Sequence, residues 1–498
     1  MPLLPSFITR PPSQWVQSAR GTIGGITWGP SVSAAKWAVH SLFSNIQVGT
    51  LVLVDEVDGT NHVFGEKLGS SKLPGRVVVN GAVSVPRVEL VVKKSAFWMR
   101  LILFADMGFS EAYMLGEVDC TDLTAFFQLF LANREQLGNG TTLLSTFSSY
   151  ASALARRTNT MSNSLLNISA HYDISNEMFA AFLSPDMTYS CPIWDKFGPS
   201  EETLEEAQIR KLQVFIDEAH IKSTDHVLEI GTGWGSFAIL AVQQTKCRVT
   251  SLTLSQEQKA LAEDRIAKAG LSDRIEVLLM DYRALPVPQR PYDKVVSIEM
   301  LEAVGQEFLG TYFACIHRLL KKDGGIAVFQ CITMPEGRHE AYSKSEDFIN
   351  HYIFPGGYLP SITQLIDHIS KESEGTLVVE KVDNIGGHYA KTLRLWRESF
   401  MNNFESKIKP ALLEKHGVMT DEGVAVFRRK WEVSLTSEAT PLIPTDEEVS
   451  ITSDIVKPAF SPRPWGMSLF LLDETVLWSS WRVFLNEAPH GVASAWIW

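Results

Sequence analysis

From Glu201 onward, helical and strand-like runs alternate, and the first strand-like run, His226 to Ile230, leads into the glycine loop Glu229-Ile-Gly-Thr-Gly-Trp-Gly235. Strands separated by helix-length segments cannot close as hairpins; they pair in parallel, with the helices covering both faces of the sheet. Leu204, Ala207, Leu212, Phe215, Ile216 and Ala219 recur at helical spacing ahead of that strand, and Ser236 to Gln244 predicts the helix behind it. The unit then repeats, with strands expected at Arg248 to Leu252, Ile275 to Leu279, Lys294 to Ile298 and Gly325 to Cys331, and a helix over Ser255 to Ala269. The expected fold class is α/β, a doubly wound sheet, preceded by a smaller α+β domain.

That smaller domain is read from residues 31–137. Val32, Ala35, Val39, Leu42 and Phe43 mark an amphipathic opening helix. Strand-like runs follow at Thr50 to Val57, Arg76 to Val83 and Val88 to Val92, and the apolar segments Phe97 to Phe104 and Leu123 to Leu131 predict helices beside them. A Gly-, Ser- and Thr-rich connector occupies 138–163, the larger domain 164–440, and a proline- and tryptophan-rich extension of undefined topology 441–498.

Composition removes several functions. The 498 residues carry a formal net charge of -12, which opposes nucleic-acid binding, since phosphate neutralisation needs clustered Lys and Arg. The same charge denies any global attraction to an anionic bilayer. Transient membrane contact would have to come from local basic clusters at Lys93-Lys94, Arg100, Arg156-Arg157 or Arg428-Arg429-Lys430. The longest apolar stretch, Ala96 to Phe109, is broken by Arg100 and Asp106 and is too short to span a membrane. Five cysteines without a Cys-x-x-Cys pair indicate neither a disulfide scaffold nor a metal site, and point to a reducing, cytoplasmic setting. The first thirty residues lack a secretory core and leave a transit peptide open. Asn139-Gly-Thr141 and Asn167-Ile-Ser169 match the glycosylation pattern and are read as chance.

Gly231, Gly233 and Gly235 follow an acid in a Gly-x-Gly-x-Gly spacing, not the Gly-x-Gly-x-x-Gly of dinucleotide sites. A dinucleotide site also needs an acid at the end of the second strand to grip the ribose, and this strand ends Thr250-Ser-Leu-Thr253. Asp281, after the third strand, is placed to meet an adenine edge, which favours S-adenosylmethionine (SAM). Thr188-Tyr-Ser-Cys191 stands roughly forty positions ahead of the loop, where it can fold over the site and exclude water. A tight structural turn is the competing reading of the glycines.

Six motifs in order carry a closer likeness: His171-Tyr-Asp-Ile-Ser-Asn-Glu-Met-Phe179, Met187-Thr-Tyr-Ser-Cys191, Thr253-Leu-Ser-Gln-Glu-Gln258, Met300-Leu-Glu-Ala-Val-Gly305, Tyr352 to Ser361, and His388-Tyr-Ala-Lys-Thr-Leu-Arg394. With Gly108 to Met114 in the smaller domain, the chain from about 40 to 435 resembles the cyclopropane-fatty-acyl-phospholipid synthases and the related mycolic acid cyclopropane synthases, most nearly their plant branch. The resemblance implies a Rossmann-like SAM-dependent methyltransferase that adds a methylene group to a cis double bond of an unsaturated lipid acyl chain. It implies a bound bicarbonate as base, held by the backbone of Cys191 and Ile332, by the Glu302 side chain and by the Tyr389 hydroxyl, and SAM contacts from Tyr189, Ser190, the three glycines, Thr253, Leu254, Gln258, Asp281, Tyr282 and Arg283. A homodimer is left open, and no metal is implied.

Three positions depart from the bacterial pattern. Ala303 follows the glutamate where bacteria place His, Gln330 stands where a bacterial His touches the anion, and Ser437-Glu438 replaces a Tyr-Cys pair. Gln330 can still donate through its amide. Tyr189, Thr253, Gln258 and Cys191 each also read as packing or capping residues, whereas Glu302, an acid after the apolar run Val295 to Ile298, is costly to bury without a purpose. Two alternatives remain beside ring formation: methyl transfer that stops at a branch, and a lipid-binding protein that has lost turnover.

Overall fold

The computed structural model describes residues 29–65, 77–79, 82–84, 86–137, 175–195, 202–344, 347–416, 419–437 and 479–487. The chain divides into two compact units, the first drawn from residues up to 155, 344–348 and 425–476, the second from 156–343, 349–424 and the residues after 476.

In the first unit, the opening helix runs Gly29–Phe43. Strands β1 (Thr50–Asp55), β2 (Thr60–Gly65), β5 (Arg87–Val92) and β6 (Val118–Cys120) form one sheet in the order β2-β1-β5-β6. β1 and β5 alternate buried and exposed side chains, as strands with one core-facing side must. The run expected as a single strand at Arg76 to Val83 is a two-stranded ribbon instead, β3 (Val77–Val79) against β4 (Ala82–Ser84).

Lys93, Arg100 and Arg429, from the basic clusters expected for membrane docking, are engaged within this unit. Arg100 is buried, donating through Nε and Nη2 to both Glu117 carboxylate oxygens at 2.9 Å and through Nη1 to Glu111 at 3.3 Å. Lys93 and Arg429 both pair with Asp119. Burial would leave Arg100 costly if unpaired, so these acids hold it as a structural cation and not a lipid contact. Arg156-Arg157, the connector and both glycosylation matches lie outside the described residues.

The second unit is built on a seven-stranded sheet. β7 (His226–Ile230), β8 (Arg248–Thr253), β9 (Ile275–Leu279), β10 (Lys294–Ile298) and β11 (Ile326–Thr333) run parallel, joined by β12 (Leu377–Asn384) and β13 (Ser479–Glu487) in the order β12-β13-β11-β10-β7-β8-β9. β13 lies antiparallel between β11 and β12, so part of the extension of undefined topology completes the sheet. Leu212 and Phe215 from helix Leu204–Glu218 and Phe237 from helix Ser236–Thr245 pack with Val227, Val249 and Ile266 in the core. The strand order reverses between β7 and β10, which opens a crevice at their carboxyl ends, the place where doubly wound sheets bind ligands. Among the described residues, no helix is long and apolar enough to cross a membrane and no cluster of His, Cys, Asp and Glu could hold a metal.

Candidate active site

The crevice at the switch point is walled by the glycine loop after β7, the turns after β8, β9 and β10, and the Met187 to Ser190 segment. Tyr189 and Ser190, Gly231 and Gly233, Thr253, Leu254 and Gln258, and Asp281, Tyr282 and Arg283 all line it. Of the expected SAM contacts, only Gly235 does not. It caps helix Ser236–Thr245 at φ 85°, and a Cβ there would stand 3.3 Å from that of Ala262, so this glycine serves close helix packing. A Cβ on Gly231 would meet the Met300 side chain at 3.2 Å, whereas one on Gly233, at φ 50°, would meet no protein atom within 4 Å. Gly233 therefore leaves backbone open to a ligand.

Several lining side chains hold one another. The Thr253 hydroxyl donates to Gln258 Oε1 at 2.8 Å and accepts from the Ser255 amide, closing the turn into helix Gln256–Lys268. Both Asp281 oxygens accept from the Arg283 guanidinium, at 2.9 and 2.7 Å, which orients the pair at the cleft edge. Tyr282 is buried against Tyr312, and its hydroxyl is pushed up by that burial.

The Tyr-Ser-Cys segment is pinned from beneath by helix Leu204–Glu218. Gln208 Nε2 donates to the Ser190 carbonyl at 2.8 Å, and Lys211 Nζ to the Ser190 hydroxyl at 2.6 Å. Arg265 reaches the Asp186 carbonyl at 2.9 Å. Tyr189 packs among Phe179 and Trp396, with ring centroids 5.2 and 5.1 Å away. Lys211, absent from the sequence-based site, is fully buried yet lines the cleft, and burial depresses its ammonium to about 8. Glu229, at the end of β7, is pushed up to about 8 by burial, partly offset by the Ser251 hydroxyl that donates to it.

Behind the cleft, three of the five residues expected around bicarbonate, Cys191, Gln330 and Tyr389, converge on a protein carboxylate, Glu299, while Ile332 meets Glu302. Glu299 Oε1 accepts from the Cys191 amide at 3.0 Å and from Gln330 Nε2 at 2.8 Å, and Glu299 Oε2 accepts from the Tyr389 hydroxyl at 2.8 Å. The Ile332 amide donates to Glu302 Oε1. Gln330, through its side chain, and Ile332, through its backbone amide, both act from the carboxyl-terminal half of β11. Glu302 Oε2 is buried without a hydrogen-bond partner, and burial together with the neighbouring Glu299 charge raises the Glu302 carboxyl to about 8.

Three of the donors expected to hold bicarbonate thus serve a protein carboxylate. A further anion would stand beside that carboxylate instead of in a nest of donors, so bicarbonate does not fit. Of this group only Glu299 lines the cleft. The other motifs support the pair from outside: the Tyr358 amide donates to the Glu302 carbonyl at 2.8 Å, and His388 Nδ1 accepts from the Trp194 amide at 3.0 Å.

Residues 159–418 match the family described as mycolic acid cyclopropane synthetase. The chain is 38% identical over 347 residues to the tuberculostearic acid methyltransferase UfaA1 of Mycobacterium tuberculosis, covering 67% of this chain and 75% of that protein. It is 33% identical to the cyclopropane-fatty-acyl-phospholipid synthase of Escherichia coli, covering 65% and 79%. A solved structure of mycolic acid cyclopropane synthase CmaA1, complexed with SAH and CTAB, superposes with a TM-score of 0.50 at 26% identity, covering 65% of this chain and 98% of that one.

Proposed function

The chain belongs to the mycolic acid cyclopropane synthetase family of SAM-dependent methyltransferases, and from that premise we propose that it alkylates a cis double bond in an unsaturated lipid acyl chain, closing a cyclopropane ring. One observation carries the reading: a crevice at the switch point has a glycine whose missing side chain leaves it open, with the carboxylate of Glu299 in its lining and that of Glu302 behind. SAM, when bound, supplies an electrophilic sulfonium methyl group.

The chain's own residues do the rest. Gly233 lets the cofactor approach the loop backbone, with Leu254, Thr253 and Gln258 on one side and Asp281, Tyr282 and Arg283 around the base. Lys211 offers a cation to the methionyl carboxylate, held in place by Ser190. Tyr189, clamped between aromatic rings, closes the cleft against water. An unactivated alkene is a weak nucleophile, so positioning it in line with the methyl must supply much of the rate, about 7–11 kcal/mol of barrier where alignment is close. The alkylated chain is a carbocation, and ring closure requires a proton to leave the transferred methyl.

The relative named as a methyltransferase favours a second outcome, a methyl branch without a ring. Expression in a host lacking its own synthase, with lipid mass spectrometry and NMR, separates them: a 14-mass-unit gain with cyclopropyl protons supports ring closure, the same product class with a branch methyl supports the second, and unmodified lipid beside intact SAM binding refutes both.

A further inference from the structure

We infer that Glu299 is the catalytic base of this enzyme, an internal carboxylate standing where an exogenous anion would otherwise be recruited; this rests on the reading of the chain as a lipid-alkylating enzyme. Three hydrogen-bond donors from three separate parts of the second unit, the Cys191 amide, the Gln330 side chain and the Tyr389 hydroxyl, meet on its two oxygens at 2.8–3.0 Å. Such a cradle is suited to an ionised carboxylate, and it is completed by a residue that itself lines the cofactor cleft.

The backbone gives a second, independent sign. Glu299 has φ 48°, a left-handed conformation that costs a branched-out side chain energy and is common for glycine, and its amide is fixed by the Gln330 carbonyl at 2.8 Å. A glutamate kept at a position that suits glycine directs its side chain into the donors. Glu302, one turn on, is buried with one oxygen unpartnered. Burial and the nearby Glu299 favour the protonated form of Glu302, so it adds no second negative charge beside the cradle.

The step balances without a co-reactant. The alkene π pair forms the new carbon–carbon bond as the methyl–sulfur bond breaks and its electrons remain on sulfur. A C–H bond of the transferred methyl then breaks, its electron pair closes the ring onto the cationic carbon, and the proton passes to a Glu299 oxygen. Release of that proton to solvent after product departure restores the carboxylate.

The test compares wild type, Glu299→Gln and Glu299→Gly in carbonate-free buffer and with sodium bicarbonate, reading lipid product, SAM affinity by calorimetry, and bicarbonate binding by calorimetry. Glycine is admissible at this φ, so the Gly variant removes the carboxylate without straining the backbone and leaves its three donors open to an added anion, its folding being checked by its melting temperature. The expected result is wild-type turnover unchanged by carbonate removal, at least a 100-fold loss in the Gln variant with SAM affinity within threefold, and bicarbonate binding with partial recovery of turnover in the Gly variant alone. Wild-type turnover that collapses without carbonate, or a Gln variant within tenfold of wild type, overturns the assignment of Glu299. A wild-type protein that binds SAM but converts no unsaturated lipid overturns instead the reading on which the assignment rests.

Discussion

Lys211 Nζ donates to the hydroxyl of Ser190 at 2.6 Å, joining the buried face of helix Leu204–Glu218 to the middle of the Tyr-Ser-Cys segment that walls the cleft. A buried ammonium that has one neutral partner here is available to a ligand carboxylate. Lys211→Met, which preserves the stem's volume, is expected to weaken SAM binding by about tenfold, equivalent to about 1.4 kcal/mol. Because burial sets the ammonium to about 8, wild-type SAM affinity should fall between pH 7 and 9, while the Met variant stays flat. Calorimetry at the two pH values checks both; equal affinities for the two proteins at pH 7 would remove Lys211 from the site.

The raised carboxyls make a stability prediction with a definite sign. Glu229 and Glu302 rise from 4.5 to about 8 on folding. Between those values the native protein holds protons that the unfolded chain has released, so their contribution is fully present below pH 4.5 and is lost as pH rises toward 8. Replacing Glu302 by Gln keeps a neutral group of the same shape and removes its share of the dependence. Melting temperatures of Glu302→Gln minus wild type should therefore grow by at least about 3 °C from pH 5 to pH 8.5. A difference independent of pH would show that Glu302 ionises normally in the fold.

The glycine loop divides into two kinds of position. Gly233→Val forces a β-branched residue to φ 50° and sends its side chain into the open cleft, so SAM affinity should drop by at least about 30-fold, with a stability cost of about 1–2 kcal/mol from the left-handed backbone. Gly235→Val places atoms against Ala262, so its stability loss should exceed that of Gly233→Val. Thermal melts beside SAM titrations distinguish the two, and a Gly233→Val protein with unchanged affinity would exclude the loop from cofactor binding.

Much of this site can be read from order and spacing, and the parts that cannot have physical reasons. β7 to β11 are legible because each is a short apolar run bounded by turn residues, and parallel strands buried on both faces need no alternation. β13 is not legible: it pairs with β11 and β12 from beyond residue 478, and nothing local signals a partner so distant in sequence. Lys211 reads as one more charge on a charged helix, although Ala207, Gln208, Lys211 and Phe215 fall on one buried stripe, and two polar residues on such a stripe are the available signal. Glu299 is masked by its place at the end of an apolar strand, and the available signal is Glu299-Met-Leu-Glu302, two acids three apart after a buried strand, which must be neutralised or shared.

Tyr389 tests whether the cradle acts through position or through bulk. Its hydroxyl donates to Glu299 Oε2 at 2.8 Å from helix Gly387–Asn403, while its ring packs against Trp396 at 6.3 Å. Tyr389→Phe keeps the ring and removes one donor to a carboxylate, a bond of the kind worth about 1.5–3 kcal/mol. A carboxylate released from one of its three donors can turn away from the transferred methyl, so turnover should fall about 10- to 100-fold with SAM affinity within twofold, because the tyrosine lies outside the cofactor cleft. Tyr389→Ala removes the packing as well and should add a fall in melting temperature without a comparable further loss of turnover per folded molecule. If the Phe variant retains full turnover, the third hydrogen bond to Glu299 is dispensable and the Cys191 and Gln330 donors alone fix the carboxylate.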